Sequence, residues 1–203
     1  MDKLIAILQS ISPLSPALLN HLLSIITVLE FKKGDIILEK GKVCNFIYFI
    51  EKGLIRSYYM LGQEEVSNWF MKEGNFCISV LSFMRRTPSA DILVALEDCV
   101  CLAMAHDKLE ETYRLFPEYN LHGRIIASEY YCQSEERHMA NKRQNKEDKY
   151  EQLMDKDPDL VKRVSNKHMA SYLNASLRTY TDMRKNYREK KIREAKKGKR
   201  SKN

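Results

Sequence analysis

Several features common in enzymes and membrane proteins are missing from this sequence. Its 203 residues contain no Gly-x-x-x-x-Gly-Lys phosphate loop, no Gly-x-Ser-x-Gly elbow and no His-Glu-x-x-His zinc motif. No run approaches the roughly 18 consecutive apolar residues that a membrane span needs. Asp2, Lys3, Gln9 and Ser10 interrupt the first apolar stretch, unlike in a secretory signal. We therefore expect a cytoplasmic protein that is not an enzyme and has no membrane partner.

Cysteine is scarce, and its spacing argues against disulfides and metal centres. The five cysteines are Cys44, Cys77, Cys99, Cys101 and Cys132. Their number is odd, and none of them forms a Cys-x-x-Cys pair. Cys99, Cys101 and His106 could supply half of a metal site, but a free cysteine more often behaves as a small buried apolar residue. We expect reduced thiols in the core, no metal and no cofactor.

Charge is divided unevenly along the chain. Residues 1–140 carry 14 Lys/Arg and 18 Asp/Glu, a net charge of −4, whereas residues 141–203 carry 20 and 9, a net charge of +11. A basic segment after a mildly acidic body is typical of a chain whose end contacts a polyanion such as a nucleic acid. The alternative is a tail that only increases solubility.

Glycines divide the first half of the chain into short segments. Ser15 and Pro16 predict the start of an amphipathic helix, and five of the seven glycines then lie between residues 34 and 74. The predicted strands are Asp35–Glu39, Phe46–Ile50, Leu54–Met60, Val66–Phe70, Ile92–Leu96 and Cys99–Ala105. Short strands punctuated by glycine at this spacing are typical of an antiparallel sandwich or jelly roll.

A long helix is predicted from Pro117 to about Asn145, with Gly123 as its one internal glycine. Positions at alternating spacings of four and three residues form a partly apolar seam along it: Leu121, Ile125, Ser128, Cys132, Glu135 and Met139. We interpret this helix as a dimerisation helix, and the alternative is a helix packed on its own domain. The charged segment Gln144–Lys149 is a predicted boundary, which divides the chain into domains at 1–116, 117–145 and 146–203.

The segment Val164–Lys185 has the pattern of two short helices joined by a tight turn. Ser165 and Ser176 are the predicted N-caps, and Asn174 is expected to take the left-handed conformation of the turn. Leu177 and Tyr180 are expected to face the first helix. The candidate DNA-contacting residues are Ser165, Lys167, Ser176, Arg178, Thr179, Thr181, Asp182 and Lys185.

The order of these parts resembles the Crp/Fnr superfamily of bacterial transcription regulators. The resemblance is carried by Lys33–Ile37 and Gly41 in the glycine-rich region and by Val164–Leu173 in the helix-turn-helix. It implies an α+β fold: an N-terminal jelly roll (double-stranded β-helix) like a cyclic-nucleotide-binding domain, a long dimerisation helix and a C-terminal winged helix-turn-helix. It also implies double-stranded DNA, a second copy of the chain, RNA polymerase and a small-molecule effector as partners.

The phosphate cassette departs from the family pattern. Nucleotide-binding members have Gly-Glu, whose glutamate takes the ribose hydroxyl, and Arg-Ser-Ala, whose arginine takes the cyclic phosphate; this chain matches them with Gly74-Asn75 and Pro88-Ser89-Ala90. Because Pro88 offers neither charge nor donor, we predict no tight binding of cyclic AMP. The resemblance places the ligand pocket at Gly74, Asn75, Phe76, Arg85, Arg86, Ser89 and Ala90.

The recognition helix and the tail also depart from the pattern. The family's Ser-x-Glu-Thr-x-Ser-Arg corresponds to Ser176–Asp182 here, so that the charged pair, Arg178 and Asp182, has exchanged signs. Arg178 is expected to contact a guanine and Asp182 a cytosine amino group, unless the two pair with each other. The basic residues after Arg184 continue the helix or form a tail in place of the wing. We expect a homodimeric transcription regulator; the alternative is a ligand- or protein-interaction module that no longer reads DNA.

Overall fold

The computed structural model describes residues 1–143 and 145–200, which form two compact units, Met1–Ser134 and Glu135–Asn203. The units divide within the long helix. Gln144, at the predicted boundary, and the last three residues of the predicted tail lie outside the described residues.

Two helices precede the strands, α1 at Asp2–Ile11 and α2 at Pro16–Ile25. Pro16 takes the first helical position, and the N–H of Leu18 donates to Ser15 Oγ at 3.2 Å, so that Ser15 is the N-cap as predicted. The apolar face of the pair is buried in the core at Leu4, Leu8, Leu18 and Leu22.

Eight antiparallel strands form two four-stranded sheets, which we call the β-roll. The strands are β1 Thr27–Phe31, β2 Ile36–Leu38, β3 Phe46–Lys52, β4 Ile55–Leu61, β5 Glu64–Met71, β6 Phe76–Cys77, β7 Ile92–Ala95 and β8 Cys99–Ala105. One sheet has the order β1-β8-β3-β6 and the other the order β2-β7-β4-β5. A short helix, α3 at Val80–Arg85, lies between β6 and β7. The mixed α+β class and the antiparallel roll are confirmed.

All six predicted strands are present, Cys99–Ala105 with the predicted ends and the other five with shifted ends, and two strands and α3 were not predicted. β1 follows the apolar end of α2 without a glycine or proline between them. The hydrophobic pattern therefore does not show where the helix ends and the strand begins. β6 has two residues, Phe76 and Cys77, which pair with Phe49 and Tyr48 of β3. A strand this short has no sequence period.

Four of the five cysteines lie in the core of the β-roll as free thiols, as expected: Cys44, Cys77, Cys99 and Cys101. Burial raises the pKa of the Cys101 thiol to about 12 and that of Cys77 well above its usual value. Cys132 is exposed on the long helix, so the expectation of a core thiol is wrong there.

Two further helices follow the strands, α4 at His106–Leu115 and α5 at Tyr119–Arg143. A Cβ on Gly123 would meet Cζ of Tyr113 at 2.7 Å, so this glycine lets the Tyr113 ring pack against α5. His122 is fully buried, and its Nε2 lies 3.1 Å from the carbonyl oxygen of Ser12. This face holds the start of α5 against α4 and the end of α1.

The second unit is helical in its described residues: α6 Lys146–Lys156, α7 Pro158–Arg163, α8 Asn166–Tyr172 and α9 Leu177–Arg200. Lys146–Lys149 begin α6, since the N–H of Asp148 donates to Asn145 Oδ1 at 2.7 Å and makes Asn145 the N-cap. The charged segment that the sequence predicts as a domain boundary therefore contains the first turn of α6. α9 continues as one helix of 24 residues, and no wing strand occurs in the described part of this unit.

Candidate nucleic-acid interface and ligand domain

The α8–turn–α9 segment has the local geometry that its sequence predicts. The N–H of His168 donates to Ser165 Oγ at 3.2 Å and the N–H of Thr179 donates to Ser176 Oγ at 3.1 Å, so both serines are N-caps. Between the helices Asn174 has φ +53°, in the left-handed region. The cap and turn residues thus set where α8 ends and where α9 begins.

Apolar side chains at the crossing hold α8 and α9 together. Met169 and Tyr180 have no exposed surface, and Ala170, Leu173 and Met183 are nearly as buried. The Tyr180 ring also meets the Tyr150 ring of α6 edge to face at 5.7 Å.

The prediction that Leu177 faces α8 is wrong. Leu177 is 54% exposed, because it follows the cap directly and its side chain lies off the buried stripe that begins at Tyr180.

The candidate DNA-contacting residues lie at the surface of this unit. All of them are exposed except Thr179, which is half-buried: Ser165, Lys167, Ser176, Arg178, Thr181, Asp182 and Lys185. The hydroxyls of Ser165 and Ser176 already accept from backbone N–H groups. No ion pair joins Arg178 to Asp182 within the part of the chain that the structure describes. Both charges therefore remain accessible to a ligand.

Arg184, which is not among the candidate DNA-contacting residues, positions the two helices. Its Nη1 donates to Asn166 Oδ1 of α8 at 2.8 Å, and its guanidinium lies 5.8 Å from the centre of the Tyr180 ring. The sequence contains a signal for this role: Arg184 follows Tyr180 by four residues, and residues at that spacing lie on the same face of a helix.

In the β-roll, Gly74 and Asn75 belong to the turn between β5 and β6. Gly74 has φ +84°, and Asn75 Oδ1 accepts from the N–H of Lys72 at 3.0 Å. In the chain, β6 lies between this turn and Ser89, which the sequence assigns to the same ligand pocket. Phe76 meets the Phe49 ring edge to face, with ring centres 5.3 Å apart.

The side chain that contacts Ser89 is Ser79, the residue before α3. The two hydroxyl oxygens are 2.9 Å apart, and both residues are buried. Ser79 Oγ also donates to the Asp91 carboxylate at 3.4 Å. Burial raises the pKa of Asp91, and the hydrogen bond from Ser79 opposes that shift. The structure thus places Ser79, rather than Asn75, opposite the Pro88-Ser89-Ala90 segment.

The two arginines assigned to the pocket have different surroundings. Arg85 and Ala90 are exposed. Arg86 has φ +54°, and its Nη1 donates to the carbonyl oxygens of Cys44 at 2.7 Å and Phe83 at 3.3 Å. Its Nη2 donates to Asn45 Oδ1. Arg86 therefore holds the loop before β3, and a role as phosphate ligand would break these bonds.

A buried cation that the sequence reading missed lies on β4. Arg56 is 2% exposed; its Nη1 contacts Glu65 Oε2 at 2.6 Å, its Nε donates to Ser67 Oγ at 2.9 Å, and its guanidinium stacks over Tyr58 at 4.3 Å. Its Nη2 is buried without a partner. The alternating strand pattern could not distinguish this arginine from an exposed one.

Comparison with known proteins adds to this geometry. Residues 28–115 match the cyclic nucleotide-binding domain family. CLP of Xanthomonas campestris is 13% identical with a TM-score of 0.67, covering 87% of this chain and 93% of its own. FixK2 of Bradyrhizobium japonicum is 15% identical with a TM-score of 0.71, covering 83% and 87%. CooA of Carboxydothermus hydrogenoformans is 14% identical with a TM-score of 0.64, covering 86% and 79%.

The chain therefore has the Crp/Fnr fold. The resemblance stated from the sequence is confirmed, with a cyclic nucleotide-binding domain in the β-roll. No curated protein matches the chain significantly.

In this Crp/Fnr fold, the seam residues on α5 are exposed. Leu121 is 39% exposed, Ile125 is 38% exposed and Met139 is 47% exposed, and Ser128 and Cys132 are also exposed. The opposite side packs on the roll: Tyr130 lies 5.6 Å from the Trp69 ring, and its hydroxyl oxygen accepts from the N–H of Phe76 at 2.6 Å. The seam is available for a partner, whereas the packing of α5 on its own domain uses other residues.

The structure also bears on metals and membranes. Within residues 1–143 and 145–200, no three or more His, Cys, Asp or Glu side chains are placed to hold a metal ion. None of the helices described has both the length and the apolar character that a bilayer span requires.

Proposed function

We propose that this chain is a cytoplasmic, homodimeric transcription regulator that binds double-stranded DNA through the first three turns of α9. The observation that carries the proposal is the capped α8–turn–α9 unit, which leaves Arg178, Thr181 and Lys185 exposed on α9. A helix presented in this way fits the major groove, which is about 12 Å wide. Arg178 is the residue suited to bidentate contact with a guanine.

A dimer through the α5 seam would give the two recognition helices a two-fold relation. Leu121, Ile125 and Met139 supply exposed apolar surface at heptad spacing. Two-fold symmetry predicts palindromic half-sites about 34 Å apart on the DNA. RNA polymerase is then a further partner of the bound dimer.

The effector, if it is a small molecule, is not expected to be cyclic AMP. Ser89 contacts Ser79 and the backbone of Asp91, and Ser79 in turn contacts the Asp91 carboxylate rather than a cation. A carboxylate at that place repels a phosphate. Arg86 is exposed, and its guanidinium donates to Cys44, Phe83 and Asn45 instead. CLP is described as responsive to c-di-GMP, so effectors differ among proteins of this fold. Isothermal titration that finds micromolar or tighter binding of cyclic AMP would overturn this assignment.

The test of DNA binding is selection of bound sequences from a random duplex pool, followed by salt titration on the selected site. We expect a palindromic site whose binding survives about 150 mM salt, and an Arg178→Ala variant that loses base preference at one position in each half-site, at a cost of about 1–3 kcal/mol. The opposite outcome is that no sequence is enriched, and that DNA from the last round binds no more tightly than random DNA at any salt concentration. The chain would then be an interaction module that does not read DNA.

A further inference from the structure

We propose that α9 also binds the DNA backbone beyond the recognition turns, through basic side chains on its outer face, and that these take the place of a wing. This outer basic stripe consists of Arg178, Lys185, Arg188 and Lys196. The inference rests on the proposed function and adds Arg188 and Lys196 as phosphate contacts.

The helix period places these residues on the face opposite the core contacts. At about 100° per residue, Lys185 and Lys196 lie within about 20° of Arg178 around the helix axis, and Arg188 lies about 80° to one side. Tyr180 and Met183, which are buried, are on the opposite side. All four stripe residues are exposed.

The length of α9 brings the stripe to the phosphates. From Arg178 to Lys196 the helix rises about 27 Å, at 1.5 Å per residue. The major groove is only about 12 Å wide. A helix whose first turns lie in the groove therefore carries its later turns over the flanking backbone, where lysine and arginine bind phosphates without regard to sequence.

Among the basic residues of α9 up to Lys196, those outside the stripe are occupied within the protein; Arg184 donates to Asn166 of α8. Lys190 Nζ contacts Glu151 Oε2 at 2.6 Å and Lys191 Nζ lies 3.5 Å from Asp155 Oδ1, both on α6. Arg193 pairs with Glu189 one turn earlier on α9 at 3.6 Å. The four stripe residues, in contrast, make no ion pair or hydrogen bond with any described residue.

Contacts with α6 hold the second half of α9 in place. The Tyr187 ring meets the Tyr150 ring edge to face at 5.7 Å, and its hydroxyl donates to Asp155 Oδ1 at 3.1 Å. Together with the ion pairs of Lys190 and Lys191, these contacts fix which face of α9 is outward. The side chains thus divide by position: one set binds α6, and the other is directed away from it.

Two double variants with the same change in net charge test this division. Arg188→Gln with Lys196→Gln removes two stripe residues, and Lys190→Gln with Lys191→Gln removes two residues that pair with α6. The slope of log K against log salt is measured for each variant, with fluorescence anisotropy on the selected site. The first variant loses two phosphate contacts in each protomer, four in the bound dimer, so the magnitude of its slope is expected to fall by about 3.6; the second variant is expected to keep the wild-type slope.

Circular dichroism checks that both variants keep their helix content; if the second does not, the single variants Arg188→Gln and Lys190→Gln replace the pairs. Equal slopes for the two variants would show that only net charge matters and would overturn the inference while leaving DNA binding intact. A wild-type protein that binds neither selected nor random DNA would instead refute the proposed function, and the inference with it.

Discussion

Replacing Gly53 by alanine is expected to destabilise the β-roll by about 1–3 kcal/mol more than replacing Gly34, although the two glycines have nearly the same backbone conformation. Gly34 has φ +96° and Gly53 has φ +100°. An L-residue with a positive φ costs about 1–2 kcal/mol, and alanine recovers part of this by restricting the unfolded chain. We therefore expect Gly34→Ala to lower the free energy of unfolding by about 1 kcal/mol, because a Cβ at Gly34 meets no atom within 4 Å.

At Gly53 the same Cβ would overlap two atoms of the β8 backbone segment. It would lie 2.7 Å from the carbonyl oxygen of Asp98 and 2.9 Å from Cα of Cys99. Backbone atoms cannot rotate away, so β8 itself would have to shift, which adds about 1–3 kcal/mol. The total expected loss at Gly53 is about 2–4 kcal/mol.

Urea unfolding followed by tryptophan fluorescence measures this difference in unfolding free energy. The only tryptophan of the sequence, Trp69 on β5, lies in the same structural unit as both glycines, so the signal reports the unfolding of that unit. With a slope of about 2 kcal/mol per molar, the midpoint of Gly53→Ala should lie roughly 1 M below that of Gly34→Ala. Equal midpoints for the two variants would refute the close approach of Gly53 to β8.

Three further predictions concern the turn, the seam and the thiols. Asn174→Ala should lower the melting temperature of the helical unit in calorimetry, because its φ of +53° costs alanine about 1 kcal/mol, whereas Asn174→Gly should not lower it. Ile125→Glu should convert a dimer to a monomer in sedimentation analysis with no loss of stability of the β-roll, since Ile125 is 38% exposed; an unchanged mass would exclude the seam. At pH 8 a thiol reagent should modify Cys132 within minutes and leave Cys101 unmodified until the protein unfolds, because burial raises the pKa of Cys101 to about 12; rapid reaction of two or more thiols would contradict the packing.

The elements that the sequence predicts well are those set by local backbone chemistry. Ser15, Ser165 and Ser176 are N-caps, since a serine hydroxyl satisfies a backbone N–H only a few residues away. Asn174 has the left-handed conformation for an equally local reason. Each of these signals involves residues within one turn of helix, so that the sequence pattern contains all of its partners.

The elements that it predicts poorly depend on residues far apart in the chain. Arg86 was assigned to a ligand pocket, but its hydrogen bonds go to Cys44 and Asn45, some 40 residues earlier. Arg56 is paired in the interior because the β4–β5 pairing brings Glu65 and Ser67 to its guanidinium. No spacing rule reports such contacts, since they exist only once the strands are paired.

The sequence by itself determined the order of six of the eight strands in the described chain, the caps and turn of the helix-turn-helix, and the concentration of positive charge in the last third of the chain. Only the tertiary structure decided which of those charges are available. Lys190 and Lys191 lie beside the α6 carboxylates, whereas Arg188 and Lys196 do not, although all four belong to one basic run. The physical reason is that net charge is a sum over residues, whereas an ion pair requires two side chains to be within about 4 Å of each other, and that proximity arises only when α9 packs on α6.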